Sequence, residues 1–131
     1  MTKSRNLRGK ALIEYKKCLK LNDLQREILV GTLLGDATII AQSERSEYNV
    51  KFEQQVDKSE YIQRLYEIFE PFVGTPPKIR NIMGGGAKDR QSIWFRTYRH
   101  ACFRFYYDIF YPKNQENNQR TKRVPKKISR Y

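Results

Sequence analysis

The sequence predicts an α+β domain whose elements run helix, strand, strand, helix, strand, strand, helix (αββαββα). Three observations lead there. Apolar residues recur at three- and four-residue spacing near 24–34, 61–69 and 102–110, which is a helical rhythm. Between these stretches lie two pairs of short segments with two-residue alternation, 38–42 with 48–54 and 78–83 with 91–98. Finally, 131 residues at 39% hydrophobic and 13% aromatic content suit one domain with a modest core, and exclude wholesale disorder.

Residues 1–20 read as a basic N-terminal extension, partly helical, with Ala11, Leu12, Tyr15 and Leu19 on one side of a helix from Gly9 to Leu19. That helix either packs on the domain or lies along a nucleic-acid backbone, and Glu14 argues against an organelle presequence. The domain proper spans 21–111. Its first helix, expected over about 23–36, has Asn22 or Asp23 as N-cap, and Gln25 stands three after Asn22, in capping-box position. Gly31 and Gly35 lie four apart on one face. Two glycines within a helix cost roughly 1 kcal/mol each against alanine, so their face points to close approach by a second helix. Asp36 ends this helix, where the dipole is negative and a carboxylate is comfortable only beside a cation. Two such helices side by side would bring two acids together.

The first strand pair follows, joined by a polar turn at 43–47. Alternation sends Ile39, Ala41, Val50 and Phe52 toward a core, leaving Thr38, Ile40, Gln42, Asn49, Lys51 and Glu53 on the other face. Such a face is either a readout surface or an ordinary solvated one. Asp57-Lys-Ser-Glu60 has the form of a second capping box, opening a helix to about Phe69 with Tyr61, Ile62, Leu65, Tyr66, Ile68 and Phe69 as core. Pro71 ends it, and Thr75-Pro-Pro77 leads stiffly into the second strand pair. There Ile79, Ile93 and Phe95 are expected inside, with Lys78, Arg80, Ser92, Trp94 and Arg96 outside. Gly84-Gly-Gly86 with Lys88 and Asp89 forms the tip; it lacks Walker spacing and a strand-to-helix setting, which excludes a phosphate loop. The last helix, His100 to Tyr111, places Cys102, Phe103, Tyr106, Tyr107 and Phe110 on one broad face. His100 has no acid at ligand or triad spacing and reads as a helix-start polar residue. Residues 112–131 are a basic C-terminal tail broken by Val124-Pro125.

Net charge is +12 and unevenly spread. Residues 1–20 and 112–131 each hold seven basic residues and one acid, whereas 21–111 carries twelve of each sign. Within that middle, 21–72 has ten acids against five bases and 73–104 has seven bases against one acid. A basic band around an acidic end is a polyanion footprint, or else two solvated basic tails. No apolar run approaches the roughly 20 residues of a membrane span. Cys18 and Cys102 are isolated, without metal spacing, and read as thiols in a reducing compartment rather than a disulfide.

The stretch Leu29-Val-Gly-Thr-Leu-Leu-Gly-Asp-Ala37 resembles the motif that names the LAGLIDADG homing endonucleases. Leu29, Gly31, Leu33 and Asp36 match, and Gly35 is a common variant; Thr32, Leu34 and Ala37 depart from the pattern. Phe52-Glu-Gln-Gln55, Lys58, Glu60-Tyr61, Trp94-Phe-Arg-Thr97, Phe110-Tyr-Pro112 and Lys122-Arg-Val-Pro125 resemble the branch with longer domains. The resemblance covers about residues 21–128 and implies an αββαββα homing-endonuclease domain. Its four-stranded antiparallel sheet would bind DNA through Thr38, Ile40, Gln42, Asn49, Lys51, Glu53, Lys78, Arg80, Ser92, Trp94 and Arg96. Its motif helix would form a dimer interface through Leu29, Gly31, Thr32 and Gly35.

The implied activity is site-specific double-strand DNA cleavage by phosphodiester hydrolysis. Asp36 and the Gly35 carbonyl would hold Mg²⁺, with Mn²⁺ as substitute, and Lys122 with Gln54 or Gln55 would order solvent beside it; Lys122 also reads as a plain tail lysine. A single motif per chain implies a homodimer, and its twofold symmetry a long near-palindromic duplex site. The implied setting is an organelle matrix or a bacterial or archaeal cytoplasm, with either a free gene or an intron encoding the chain. Three alternatives stand beside this reading: an RNA maturase that assists intron splicing, a non-cleaving DNA-binding regulator, and one half of a longer two-motif enzyme.

Overall fold

The helix α2 (Asp23–Leu33) shares a core with a four-stranded antiparallel sheet of order β1-β2-β4-β3, built from β1 (Thr38–Ala41), β2 (Tyr48–Gln55), β3 (Lys78–Ile82) and β4 (Arg90–Arg96). The computed structural model describes residues 8–41, 47–82, 90–112 and 122–123. Gln42, the turn at 43–46, Met83, the glycine tip with Lys88 and Asp89, Val124-Pro125 and the rest of the tail lie outside them. A short helix α1 (Gly9–Lys17) precedes α2, α3 (Ser59–Phe69) joins the two hairpins, and α4 (Arg104–Phe110) closes the fold. The αββαββα order is therefore realised from α2 onward.

Local chemistry sets α2. Asn22 is its N-cap: its side chain accepts from Gln25 N at 2.7 Å, and Gln25 Oε1 accepts from Asn22 N at 2.9 Å, so two otherwise orphaned donors satisfy each other. Gln25 is buried and its amide also donates to Ile68 O at 2.9 Å, tying the start of α2 to the end of α3. The helix stops at Leu33, three residues earlier than its sequence implies. The amides of Gly35 and Ala37 both turn back to Thr32 O, at 3.0 and 2.9 Å, closing the end without a left-handed glycine. The departures from the motif become intelligible here. Thr32 sits in the core because its hydroxyl donates to carbonyls of the preceding turn, Ile28 O at 2.8 Å and Leu29 O at 3.0 Å. Ala37 contributes its methyl to the core.

The second capping box does not form. Asp57 lies in a 3₁₀ turn, Val56–Lys58, and α3 starts at Ser59 with no side-chain cap. Four α3 residues, Ile62, Leu65, Tyr66 and Phe69, pack on the sheet, where Phe52 stacks near Phe95 and Phe69 at 4.9 and 5.1 Å between ring centres. Tyr61, expected with them, is exposed. Ile79 corrects a second expectation: it is 58% exposed, because β3 is an edge strand and α3 packs against β2 and β4. Ala41 is exposed as well, at the end of β1.

The last helix is shorter than its pattern: Ala101–Phe103 is a 3₁₀ turn and α4 proper begins at Arg104. His100 caps that turn, its Nδ1 accepting from Cys102 N at 2.9 Å while Nε2 meets Lys16 O at 2.7 Å. Tyr15 donates to Pro71 O at 2.5 Å. These two bonds dock α1 on the domain, settling one of the two readings left open for the N-terminal helix.

Candidate active site and nucleic-acid interface

Three stretches distant in sequence, Gly35–Ala37, Gln54 and Lys122, meet at the end of α2. Asp36 is exposed, and its Oδ2 accepts a hydrogen bond from Gln54 Nε2, at the far end of β2. Lys122 Nζ donates to Gly35 O at 2.9 Å and Ala37 O at 2.5 Å. Two contacts bring Lys122 there. Ile39 N donates to Tyr111 OH at 3.1 Å, fixing the end of α4 beside the start of β1, and Arg123 N donates to Phe110 O at 2.7 Å, holding Lys122 and Arg123 at the end of α4. Burial pushes the Lys122 ammonium below its ordinary pKa, while the Asp36 carboxylate pulls it upward. Gln55, the other candidate glutamine, is exposed at the β2 terminus opposite Ser92 and makes no such contact.

The carbonyl C-terminus of α2 thus carries a cation that answers its negative dipole. Among the described residues Asp36 Oδ1 is left for another partner, and two of the three Lys122 N–H donors are engaged. Among the described residues no three acids, histidines or cysteines converge. One chain therefore offers a single carboxylate with neighbouring carbonyls. Mg²⁺ suits hard oxygen donors of this kind, taking one or two carboxylates and completing its shell from water and phosphate.

The sheet face away from the core is built around one acid. Glu53 accepts from Arg80 at both oxygens, Nε to Oε2 at 2.7 Å and Nη2 to Oε1 at 3.2 Å, and from Ser92 Oγ at 2.6 Å. Lys51 Nζ stands 3.3 Å from Glu53 Oε1. Desolvation pushes the Glu53 carboxyl up, but the Ser92 hydroxyl with Lys51 and Arg80 outweighs it, and the net shift is downward. Lys51 Nζ and Arg96 Cζ also lie 5.3 and 4.9 Å from the centre of the Trp94 ring. Thr38, Lys78, Arg80 and Arg96 are exposed, and Ile40, Lys51, Glu53 and Trp94 half-buried. Beyond Trp94 a groove of about 400 Å³ opens between β4 and Thr75-Pro76, with Lys78 and Arg96 at its rim.

Two residues expected on this face need correction. Ser92 is 2% exposed beneath Glu53, and Asn49 is 6% exposed; alternation gives the side of a sheet but not what lies over it. On the motif helix, Leu29 and Thr32 were expected to meet a second helix, yet Leu29 is fully buried in its own domain and Thr32 is 8% exposed. Gly31 and Gly35 are exposed, and a Cβ on Gly31 would meet nothing within 4 Å. The exposed stripe is instead Leu24, Gly31, Leu34 and Gly35, flanked by half-buried Ile28. Sequence reading also missed the clamp of Arg80 on Glu53. The signal present was Lys51-x-Glu53, whose spacing puts both on one strand face; Arg80 needed the strand register.

The pattern of the LAGLIDADG DNA endonuclease family matches residues 26–131. The chain belongs to that family. It is 24% identical over 116 residues to DNA endonuclease I-ChuI of Chlamydomonas applanata, covering 86% of this chain and 53% of that one. It is 31% identical over 97 residues to the chloroplastic pentatricopeptide repeat-containing protein OTP51 of Oryza sativa subsp. japonica, over 74% of this chain and 12% of that one. Its fold is similar to the homing endonuclease I-WcaI, solved bound to its DNA recognition sequence, with a TM-score of 0.72 and 24% identity over 86% of this chain and 47% of that one. This LAGLIDADG chain thus spans about half the length of the two endonucleases it matches.

Proposed function

We propose that this chain is a site-specific DNA endonuclease that hydrolyses phosphodiesters on both strands as a homodimer. The observation that carries the reading is the assembly of Asp36, Gln54, Lys122 and the Gly35 carbonyl at the exposed end of the motif helix. Asp36 and the Gly35 carbonyl would hold Mg²⁺, with Mn²⁺ as substitute. When bound, the cation supplies charge neutralisation at the phosphodiester and Lewis acidity toward an attacking water. Gln54 orients the Asp36 carboxylate by donating to one of its oxygens, leaving the other turned outward. Lys122, anchored on two carbonyls, presents its remaining N–H to a phosphate oxygen and offsets charge on the leaving group.

This reading calls for a second such domain, supplied by a second copy, because one domain brings one motif acid. The stripe of Leu24, Gly31, Leu34 and Gly35 is where the partner helix would lie, and the relatives' double length supports two such domains acting together. Paired sheets would then lie along a long near-palindromic duplex, with side chains of the outer face at base edges in the major groove and the basic ends on phosphates. The free thiols of Cys18 and Cys102 favour a reducing compartment.

Cleavage of a randomised duplex library with Mg²⁺, wild type beside Asp36→Asn, tests this. Wild type is expected to cut both strands at an enriched near-palindrome, and the variant to bind that site with cleavage reduced by at least about 10²-fold. Binding without cleavage by both proteins would make the chain a regulator or half of a larger enzyme. Binding of structured RNA in place of duplex DNA would point to a maturase.

A further inference from the structure

Building on that reading, we propose that Arg80 reads a guanine with the end-on edge of its guanidinium, and that Glu53 is the positioning residue that turns this edge outward. A guanidinium has two forks for planar recognition, the side edge of Nε and Nη2 and the end edge of Nη1 and Nη2. Glu53 takes the side edge of Arg80 with both carboxylate oxygens. That leaves the end edge, for which no described residue provides an acceptor. The acid itself cannot swing away. Ser92 Oγ donates to Oε2 from the adjacent strand, Lys51 Nζ holds Oε1, and the Glu53 side chain is only 23% exposed while that of Arg80 is 51% exposed. The three strands β2, β4 and β3 therefore converge on one carboxylate that fixes the direction of one arginine.

This arrangement answers a difficulty of the face. A bare carboxylate on a surface meant for a polyanion repels phosphate, and Glu53 is the one acid among the described residues of the four strands. With Arg80, Lys51 and the Ser92 hydroxyl around it, the acid is neutralised and its net effect is geometric. Guanine is the base that presents two acceptors, N7 and O6, along the major-groove edge, and these match the two parallel N–H bonds of an arginine fork. A flexible arginine would pair with phosphates anywhere; a clamped one loses less freedom on meeting its base.

The test is site selection from a randomised duplex pool with Ca²⁺ in place of Mg²⁺, so that binding is scored without cleavage, for wild type, Arg80→Ala and Glu53→Gln. Wild type is expected to select a site in which one pair, repeated by the dyad in a dimer, is guanine by roughly 5- to 150-fold over the other bases. Arg80→Ala should erase the preference at that pair alone. Glu53→Gln should keep overall affinity or raise it at low salt, steepen the salt dependence as Lys51 and Arg80 turn to phosphates, and weaken the guanine preference at the same pair. A purely structural Glu53 would lower affinity evenly across sequences and leave the preference intact, which overturns its positioning role. Arg80→Ala selecting the wild-type site unchanged, or losing a base other than guanine, overturns the proposal while DNA reading by the chain survives. If wild type enriches no site, the endonuclease reading fails first and this proposal with it.

Discussion

At the scale of single residues, electrostatics and steric fit decide the consequences of change. The Glu53 carboxyl is held below its ordinary value of 4.5, so its ion pairs stabilise the folded state fully above that pH and lose their effect as the pH falls through the lowered folded value. Thermal unfolding of wild type and Glu53→Gln should therefore differ near neutrality and converge as the pH falls through the lowered value; a difference independent of pH would contradict the ion-pair account. Gly74 offers a steric counterpart. A Cβ there would stand 2.7 Å from Tyr98 Cε1 and 2.8 Å from its hydroxyl. The Tyr98 ring would have to shift to admit a methyl, and the shift would disturb its edge-on contact with Tyr15. Gly74→Ala is expected to cost about 1–3 kcal/mol, read as a lowered midpoint in denaturant with an unchanged slope.

At the scale of elements, α2 is held by its first turn and by its neighbour. Asn22→Ala removes half of a capping box and should cost about 1 kcal/mol. Gln25→Ala should cost more, because it removes the other half and also leaves Ile68 O without the buried amide that it accepts from. Chemical denaturation of the two variants orders them; equal losses would mean that the tie to α3 contributes nothing. The cap and the helical rhythm of α2 were legible in the sequence because both are matters of neighbours three or four residues apart. The end of the helix was not, since the bonds to Thr32 O come from a backbone path that leaves the helix. Likewise Asp57-Lys-Ser-Glu60 had the right residues for a box, and a 3₁₀ turn at Val56–Lys58 took Asp57 out of the capping position.

For the whole molecule, the exposed Gly31 face is the surface that the proposed dimer would cover. Among the described residues nothing requires glycine there, as a Cβ would meet no atom of theirs within 4 Å, and alanine would favour the helix by roughly 1 kcal/mol. The partner helix of the proposed dimer would supply the reason. Gly31→Arg is therefore expected to leave the domain folded, with no loss of thermal midpoint, while sedimentation shows a monomer and double-strand cleavage disappears. A dimer that survives this change would place the interface elsewhere.

What the sequence determined by itself is what short-range physics determines. Apolar periodicity set α2, α3 and the strand pairs, side-chain chemistry named Asn22 as a candidate cap, and the lone acid after Gly35 marked the helix end as the place for chemistry. The outward side of Lys51, Glu53 and Arg80 followed from alternation. Tertiary structure alone decided the rest. It put Gln54 rather than Gln55 against Asp36, brought Lys122 across 87 residues of chain to the Gly35 carbonyl, and turned Leu29 inward. It also made Glu53, Arg80, Ser92 and Lys51 one cluster. These outcomes depend on strand register and on how α4 docks beside β1, which are set by the summed burial of many side chains and are written in no local run of residues.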